Sequence, residues 1–188
     1  MSSVSSDTSD GELARLALAG REDGYRRLVE RHRDPVFRLV RNLVGDSDAA
    51  LDITQEAFVS GFAALKRYDP ERPFRAWMSR IAINKARDWA RRRKVRSFFS
   101  HAVAIDDAFH IADDAPLSDS VAAHRAELAR VMQAMAALPH NMREVLVMRT
   151  IEDMAEADTA AILDISSKAV ETRLYRARKQ LNEILSIA

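Results

Sequence analysis

Two stretches of the chain carry side chains suited to gripping a polyanion. Between Arg75 and Arg96 stand nine basic residues (Arg75, Arg80, Lys85, Arg87, Arg91, Arg92, Arg93, Lys94 and Arg96) against one acid, Asp88. Near the C-terminus "ISSKAVETRLYRARKQL", Ile165 to Leu181, places five more on one short segment. Clustered Lys and Arg neutralise phosphates, and aromatic rings among them offer surfaces on which unpaired bases can stack. Phe74 and Trp77 stand beside the first stretch, although their helical spacing suits a core equally well. A third constellation is acidic. Asp52, Gln55 and Glu56, at i, i+3 and i+4, share one helix face. A general acid/base pair should converge across a pocket, whereas these side chains point the same way, so a partner-binding face suits them better than catalysis.

Other chemistries find no support. The five histidines (His32, His101, His110, His124 and His140) form no metal-site spacing, and the "DDAFHIADD" stretch lies in a segment without the rigid geometry a metal needs. No metal and no cofactor is expected, since the chain carries no phosphate-binding glycine loop, dinucleotide fingerprint or nucleophile elbow. With no cysteine there is no disulfide, which suits a reducing cytoplasm. No apolar run approaches the ~20 residues of a membrane helix, and the N-terminus lacks the basic end and apolar core of a signal peptide. The expectation is a soluble, cytoplasmic protein without a membrane segment.

The elements that must position these residues are helical throughout. Five Gly and five Pro among 188 residues leave long uninterrupted stretches. Apolar residues at three- and four-residue steps predict helices over about 10–19 and 22–43, with a kink at Pro35, and over 48–68 after a cap at Asp46 or Ser47. In the third, Leu51, Phe58, Phe62 and Leu65 form the expected apolar stripe. "YDPERP" is a turn, and "FRAWMSRIAINKARDWARRRK" resumes the helical period with Phe74, Trp77, Ile81 and Trp89 inward. Residues 97–120 then lose all periodicity and carry five Asp with no Lys or Arg. They read as an acidic linker, long for a connection within one domain. Helices resume near Asp119, and the last two have helix-turn-helix proportions: "AEADTAAIL", a tight turn, and a helix capped by Ser166 or Ser167. There Ile162, Ile165, Val170, Leu174 and Ala177 should face inward, leaving Lys168, Glu171, Thr172, Tyr175, Arg176 and Lys179 outward, as a helix entering a major groove requires. The fold expected is all-α: a disordered tail over 1–9, a helical domain over 10–96, a flexible acidic linker over 97–120 and a second helical domain over 121–188.

In this order the segments "DITQEAF", "RYDPERPFRAWMSRIAINKARDWARRR", "LPHNMREVLVMRTIEDM" and "ISSKAVETRLYRARKQL" resemble the extracytoplasmic-function group of bacterial sigma factors, from about Tyr25 to Leu185. The resemblance implies a non-enzymatic protein that binds core RNA polymerase and directs it to promoter DNA, under an anti-sigma factor that responds to stress. Asp52, Gln55 and Glu56 would dock on the clamp helices of the largest polymerase subunit. Tyr68, Phe74, Arg80, Asn84, Lys85, Arg87 and Asp88 would open the minus-ten element and hold a flipped base, with Arg91 and Arg92 on phosphates. Lys168, Glu171, Thr172, Tyr175 and Arg176 match the positions that read the minus-thirty-five element, with Arg173 a backbone contact or intradomain pair. The linker would thread toward the RNA exit path. The chain departs from the family's pattern where Asp153 and Asp164 replace turn glycines, Ala155 a capping hydroxyl and Thr159 an apolar residue, which predicts a weakened first helix in the helix-turn-helix. The competing reading is a helix-turn-helix regulator that acts without joining polymerase.

Overall fold

A computed structural model describes residues 8–99 and 119–187. Among the described residues there are helices and turns and no strand. The helices form two groups, α1 to α4 and α5 to α8. Most of the acidic linker, including Asp106, Asp107, Asp113 and Asp114, lies outside the described residues, as do residues 1–7 of the N-terminal tail.

In the first group α1 (Asp10–Leu18) is capped by Ser9, whose hydroxyl accepts from the Glu12 N–H at 3.2 Å. The carbonyl of Thr8 accepts from Arg31 at 3.1 Å. Thr8 and Ser9, assigned to the tail by composition, are thus held by a cap and by a side chain from the next helix. That helix, α2 (Glu22–Val44), continues through Pro35 and ends where Gly45 turns left-handed at φ 76°. Asp46 caps α3 (Ser47–Ala63), accepting from Ala49 N–H at 2.9 Å. A single 3-10 turn (Leu65–Arg67) and the Tyr68–Pro73 loop lead into α4 (Phe74–Phe99).

The core of this group is formed by Leu13, Leu28, Val36, Leu39, Val40 and Leu43 from α1 and α2, with Ile53, Ala57 and Phe58 of α3 and Phe74, Met78, Ala82 and Ile83 of α4. Leu51, expected in the stripe of α3, is instead 48% exposed. Phe58 and Leu65 of that stripe are buried and Phe62 is half-buried, and the rest of the buried face of α3 runs through Ala50, Ile53, Thr54, Ala57 and Gly61. Small residues there let α4 approach closely: a Cβ on Gly61 would lie 2.7 Å from the Met78 sulfur. On α4 the buried stripe runs through Phe74, Met78, Ala82 and Ala86, while Trp77, Ile81 and Trp89 are half-buried at its edge.

The second group opens with α5 (Asp119–Ala137), so helix extends into both ends of the stretch read as a linker, from Ser97 to Phe99 and at Asp119 and Ser120. Pro139 starts α6 (His140–Leu146), whose last turn widens into a π-helical turn over Val147–Ile151. Asp153 then takes φ 48°, α7 (Glu156–Leu163) follows, Asp164 takes φ 58°, and α8 (Ser167–Ile187) completes the chain. Both aspartates adopt the left-handed turn that their place in the sequence demands. Ala155, at the N-cap of α7, supplies no side-chain hydrogen bond. Val145, Leu146, Val147 and Met148 are buried together with Ile162, Leu163, Val170 and Ala177, in one apolar cluster that is continuous with the core of the first group.

Candidate nucleic-acid interface

The α7–α8 pair holds its last helix as a reading helix should be held. Val170 and Ala177 are buried, Ile165 and Leu174 half-buried, and Lys168, Glu171, Tyr175 and Arg176 exposed. Thr172 and Arg173 are half-buried. Ser166 Oγ accepts from Ala169 N–H at 3.2 Å, which fixes the start of the helix. Lys168 Nζ lies 3.0 Å from Glu171 Oε2, and that carboxylate raises the lysine pKa. The Thr172 hydroxyl donates to the Lys168 carbonyl at 2.8 Å. Tyr175, 71% exposed, is the largest ring presented to solvent from this helix.

The candidate residues on α4 and the loop before it divide into two sets. Tyr68 and Phe74 were expected to meet DNA, but the structure buries both, at 7% and 0% exposure. Their rings pack edge to face at 5.2 Å, and Tyr68 donates its hydroxyl to the Arg72 carbonyl at 2.6 Å. Burial pushes the Tyr68 pKa up to about 12. These residues shape the loop from beneath, because large rings at its two ends are the groups that can anchor it to the core. Arg80, Asn84, Arg91 and Arg92 are exposed, and Lys85, Arg87 and Asp88 half-buried. Arg87 donates to Asn84 Oδ1 at 3.2 Å, Arg91 pairs with Asp88, and the Arg93 guanidinium lies 5.2 Å from the Trp89 ring centroid.

Asp52, Gln55 and Glu56 do share an exposed face on α3. Leu51 and Val59, 48% and 71% exposed, frame it with apolar surface that periodicity alone assigned inward or left unplaced. Between α3 and the C-terminal half of α4 runs a groove lined by Asp52, Ile53 and Glu56 of α3 and by Trp89, Arg91, Arg92 and Val95 of α4. Lys85 bridges to Glu56 at 3.7 Å. Apolar surface between opposed charges is what a polar-sided helix of another protein fits.

The two helical groups touch through this same α4 helix and through α2. Arg87 forks onto both oxygens of Glu144 at 2.6 and 2.7 Å, and Glu144 is 1% exposed. Arg75 meets Glu152 at 2.7 Å, and Arg80 lies 3.4 Å from Asp164. Arg143 donates to the Leu43 carbonyl at 2.8 Å. The Glu144 carboxylate raises the Arg87 pKa, while burial lowers those of Arg143 and His140. The sequence did signal Glu144 in one respect: a carboxylate directly before the apolar "VLVM" run must have a cationic partner if it is buried.

Two family models match the chain: sigma-70 region 2 over residues 28–96 and sigma-70 region 4 over residues 128–181. The RNA polymerase sigma factor CnrH of Cupriavidus metallidurans is 38% identical over 182 residues, 95% of each chain. The chain belongs to the sigma-70 family of RNA polymerase sigma factors. Its place in the extracytoplasmic-function group accords with the sigma factor SigW of Bacillus subtilis, described as of that group, which is 28% identical and covers 88% of this chain and 91% of its own length. The structure of CnrH in complex with the cytosolic domain of CnrY superposes with a TM-score of 0.70 at 33% identity, covering 96% of this chain and 99% of that one. In this sigma factor the region 2 match runs from within α2 to within α4, and the region 4 match from within α5 to within α8. Among the described residues no helix is long and apolar enough to cross a membrane.

Proposed function

We propose that this sigma factor docks on core RNA polymerase through the exposed face of α3, and that it then directs the enzyme to promoters without catalysing a reaction of its own. Asp52, Gln55 and Glu56 supply charge and hydrogen bonds to the largest subunit's clamp helices, and Leu51 and Val59 supply apolar contact. Arg80, Asn84, Lys85, Arg87 and Asp88 act on the minus-ten strand, Arg91 and Arg92 grip its phosphates, and Tyr68 and Phe74 support the loop from the core. In region 4, Lys168, Glu171, Thr172, Tyr175 and Arg176 face the minus-thirty-five major groove, and Arg173 steadies the helix. The protein works in the cytoplasm, under an anti-sigma factor. The complex of CnrH with the cytosolic domain of CnrY supports control by a protein partner.

The observation that carries this reading is the pairing of an exposed, apolar-framed acidic face on α3 with a basic helix beside it and a separate helix-turn-helix. A regulator acting apart from polymerase has no use for the first of these. Pulldown of core polymerase by the triple variant D52A/Q55A/E56A, and separately by L51S/V59S, tests it. Both should lose binding by about tenfold or more, equivalent to ~1.4 kcal/mol. Thermal stability should hold within about 0.5 kcal/mol, since the altered side chains face solvent. Undiminished polymerase capture would refute the docking face.

A further inference from the structure

The loop over residues 69–73 lies between two buried rings, yet its own side chains are exposed. Within it the Arg72 N–H donates to the Asp69 carbonyl at 3.0 Å, and the Glu71 N–H to Asp69 Oδ1 at 3.1 Å. At its ends Tyr68 and Phe74 fasten it to the core, with the Tyr68 hydroxyl on the Arg72 carbonyl. Its middle rests on α1. A Cβ added to Gly11 would lie 3.0 Å from Pro70 Cβ and 3.3 Å from the Pro70 carbonyl oxygen, so glycine lets the helix lie this close to the loop. The neighbouring Asp10 is itself pinned to α2: one carboxylate oxygen accepts from Arg31 at 2.6 Å, and the other lies 2.8 Å from His32 Nε2. His32 is buried, and its ring centroid stands 5.0 Å from that of Phe74, where α4 begins. The first turn of α1 thus meets the loop directly through Gly11, and meets its exit through Asp10 and His32. This helix precedes the residues 28–96 that match region 2.

We propose that α1 is part of the minus-ten reader, with Asp10, Gly11 and His32 acting as positioning residues that set the shape in which the loop receives a flipped base. The inference rests on the reading of this loop as one that meets that base. A flipped base is told from its competitors by hydrogen bonds to its edge, and those bonds are steep in distance and angle. The loop is solvent-facing, so its precision comes from what lies beneath it. A displacement of a few tenths of an ångström leaves the basic residues of α4 on the phosphates, but spoils the geometry that separates one base from another. Gly11 and His32 are buried and do not reach the strand themselves. Their effect falls on selectivity, through the loop, rather than on the overall hold on DNA.

Two variants disturb the support without touching the loop: G11A sets a methyl against Pro70, and D10N removes the charge that holds Arg31 and His32. A third, P70G/P73G, loosens the loop itself. Holoenzyme assembled from core polymerase and each full-length protein captures a pool of single-stranded DNA of random sequence, and sequencing gives the base preference at every position. In G11A and D10N the preference at one position should fall about fivefold while capture of the whole pool stays within about twofold, as when one base contact weakens and the phosphate contacts persist. Exchange of the Arg72 amide should quicken in both. A preference unchanged in G11A and D10N but lost in P70G/P73G overturns the role of α1. Capture that drops equally for all sequences overturns it as well, since a merely structural helix gives that result. If P70G/P73G also keeps the preference, the loop is not the reader, and the reading beneath the inference fails with it. Should D10N disturb folding, as circular dichroism would report, G11A alone must shift both readouts, because alanine favours the helix, and no shift is again refutation.

Discussion

Restoring a hydroxyl at Ala155 tests how region 4 holds its reading helix. Ala155 has the extended backbone of an N-cap, φ −60° and ψ 153°, yet offers nothing to the free N–H groups of α7. Its methyl is exposed, so replacement by Ser removes no packing. The new hydroxyl can accept from the N–H of Asp158, three residues on, while the Asp158 carboxylate can reach back toward the N-cap N–H as in a capping box. Glu156 and Asp158 already favour the positive end of this helix, so the gain comes from the hydrogen bond itself. Caps of this kind contribute about 1 kcal/mol. For a chain of this length that corresponds to roughly 2–4 °C in Tm. Amide exchange is the sharper assay: α7 amides that open locally should gain about fivefold protection in A155S, while those of α4 stay as they were. The wild-type α7 should also exchange faster than α8, whose start is capped by Ser166. Equal protection of α7 and α8 in the wild type, or no gain in A155S, would falsify the argument that the missing cap weakens α7.

Two further outcomes follow from packing and charge. At Gly24 an added Cβ would lie 2.7 Å from both the Ala17 nitrogen and the Leu13 carbonyl oxygen, backbone atoms that cannot swing aside. G24A should therefore destabilise by on the order of 1–3 kcal/mol despite the better helix propensity of Ala. G61A, which meets the flexible Met78 sulfur at 2.7 Å, should cost less, and denaturant titration of the two variants checks the order. His32 is buried with its Nε2 2.8 Å from Asp10 Oδ2, and burial holds its pKa below 6.5 although Asp10 pulls it upward. His140 is shifted the same way by burial. The unfolded chain thus takes up protons first as pH falls through about 6.5, so stability should decline from about pH 7 toward pH 5. H32Q should show a shallower decline, and an identical slope in H32Q and wild type would count against the assignment.

Much of the architecture was legible because helices announce themselves locally. The Asp46 cap, the left-handed Gly45 and the turns at Asp153 and Asp164 follow from residue types whose preferences act within a few positions. Inward and outward positions of α8 were legible for the same reason, as large apolar residues mark its buried side. On α3 that rule held for Phe58 and Phe62 and misled at Leu51. Its buried face is lined by Ala50, Ala57 and Gly61 because α4 lies close, so Leu51 was left to solvent. Tyr68 shows the converse: a family motif names the loop as a whole, and packing places this ring in the core beside Phe74, which the helical period had already turned inward.

By itself the sequence determined the family, through its ordered motifs, and the all-helical composition, together with the exposure of Asp52, Gln55 and Glu56 on α3 and of Lys168, Glu171, Tyr175 and Arg176 on α8. That exposure depends on interactions spanning one or two helical turns, and a 3.6-residue period records it directly. Only the tertiary structure decided that Arg75 and Arg87 of α4 are held by Glu152 and Glu144. Those partners lie 77 and 57 residues away along the chain, across the acidic linker. No local preference can express such a contact. Complementary charges specify that a partner is needed, and only the folded arrangement of the two regions determines which residue fills that place.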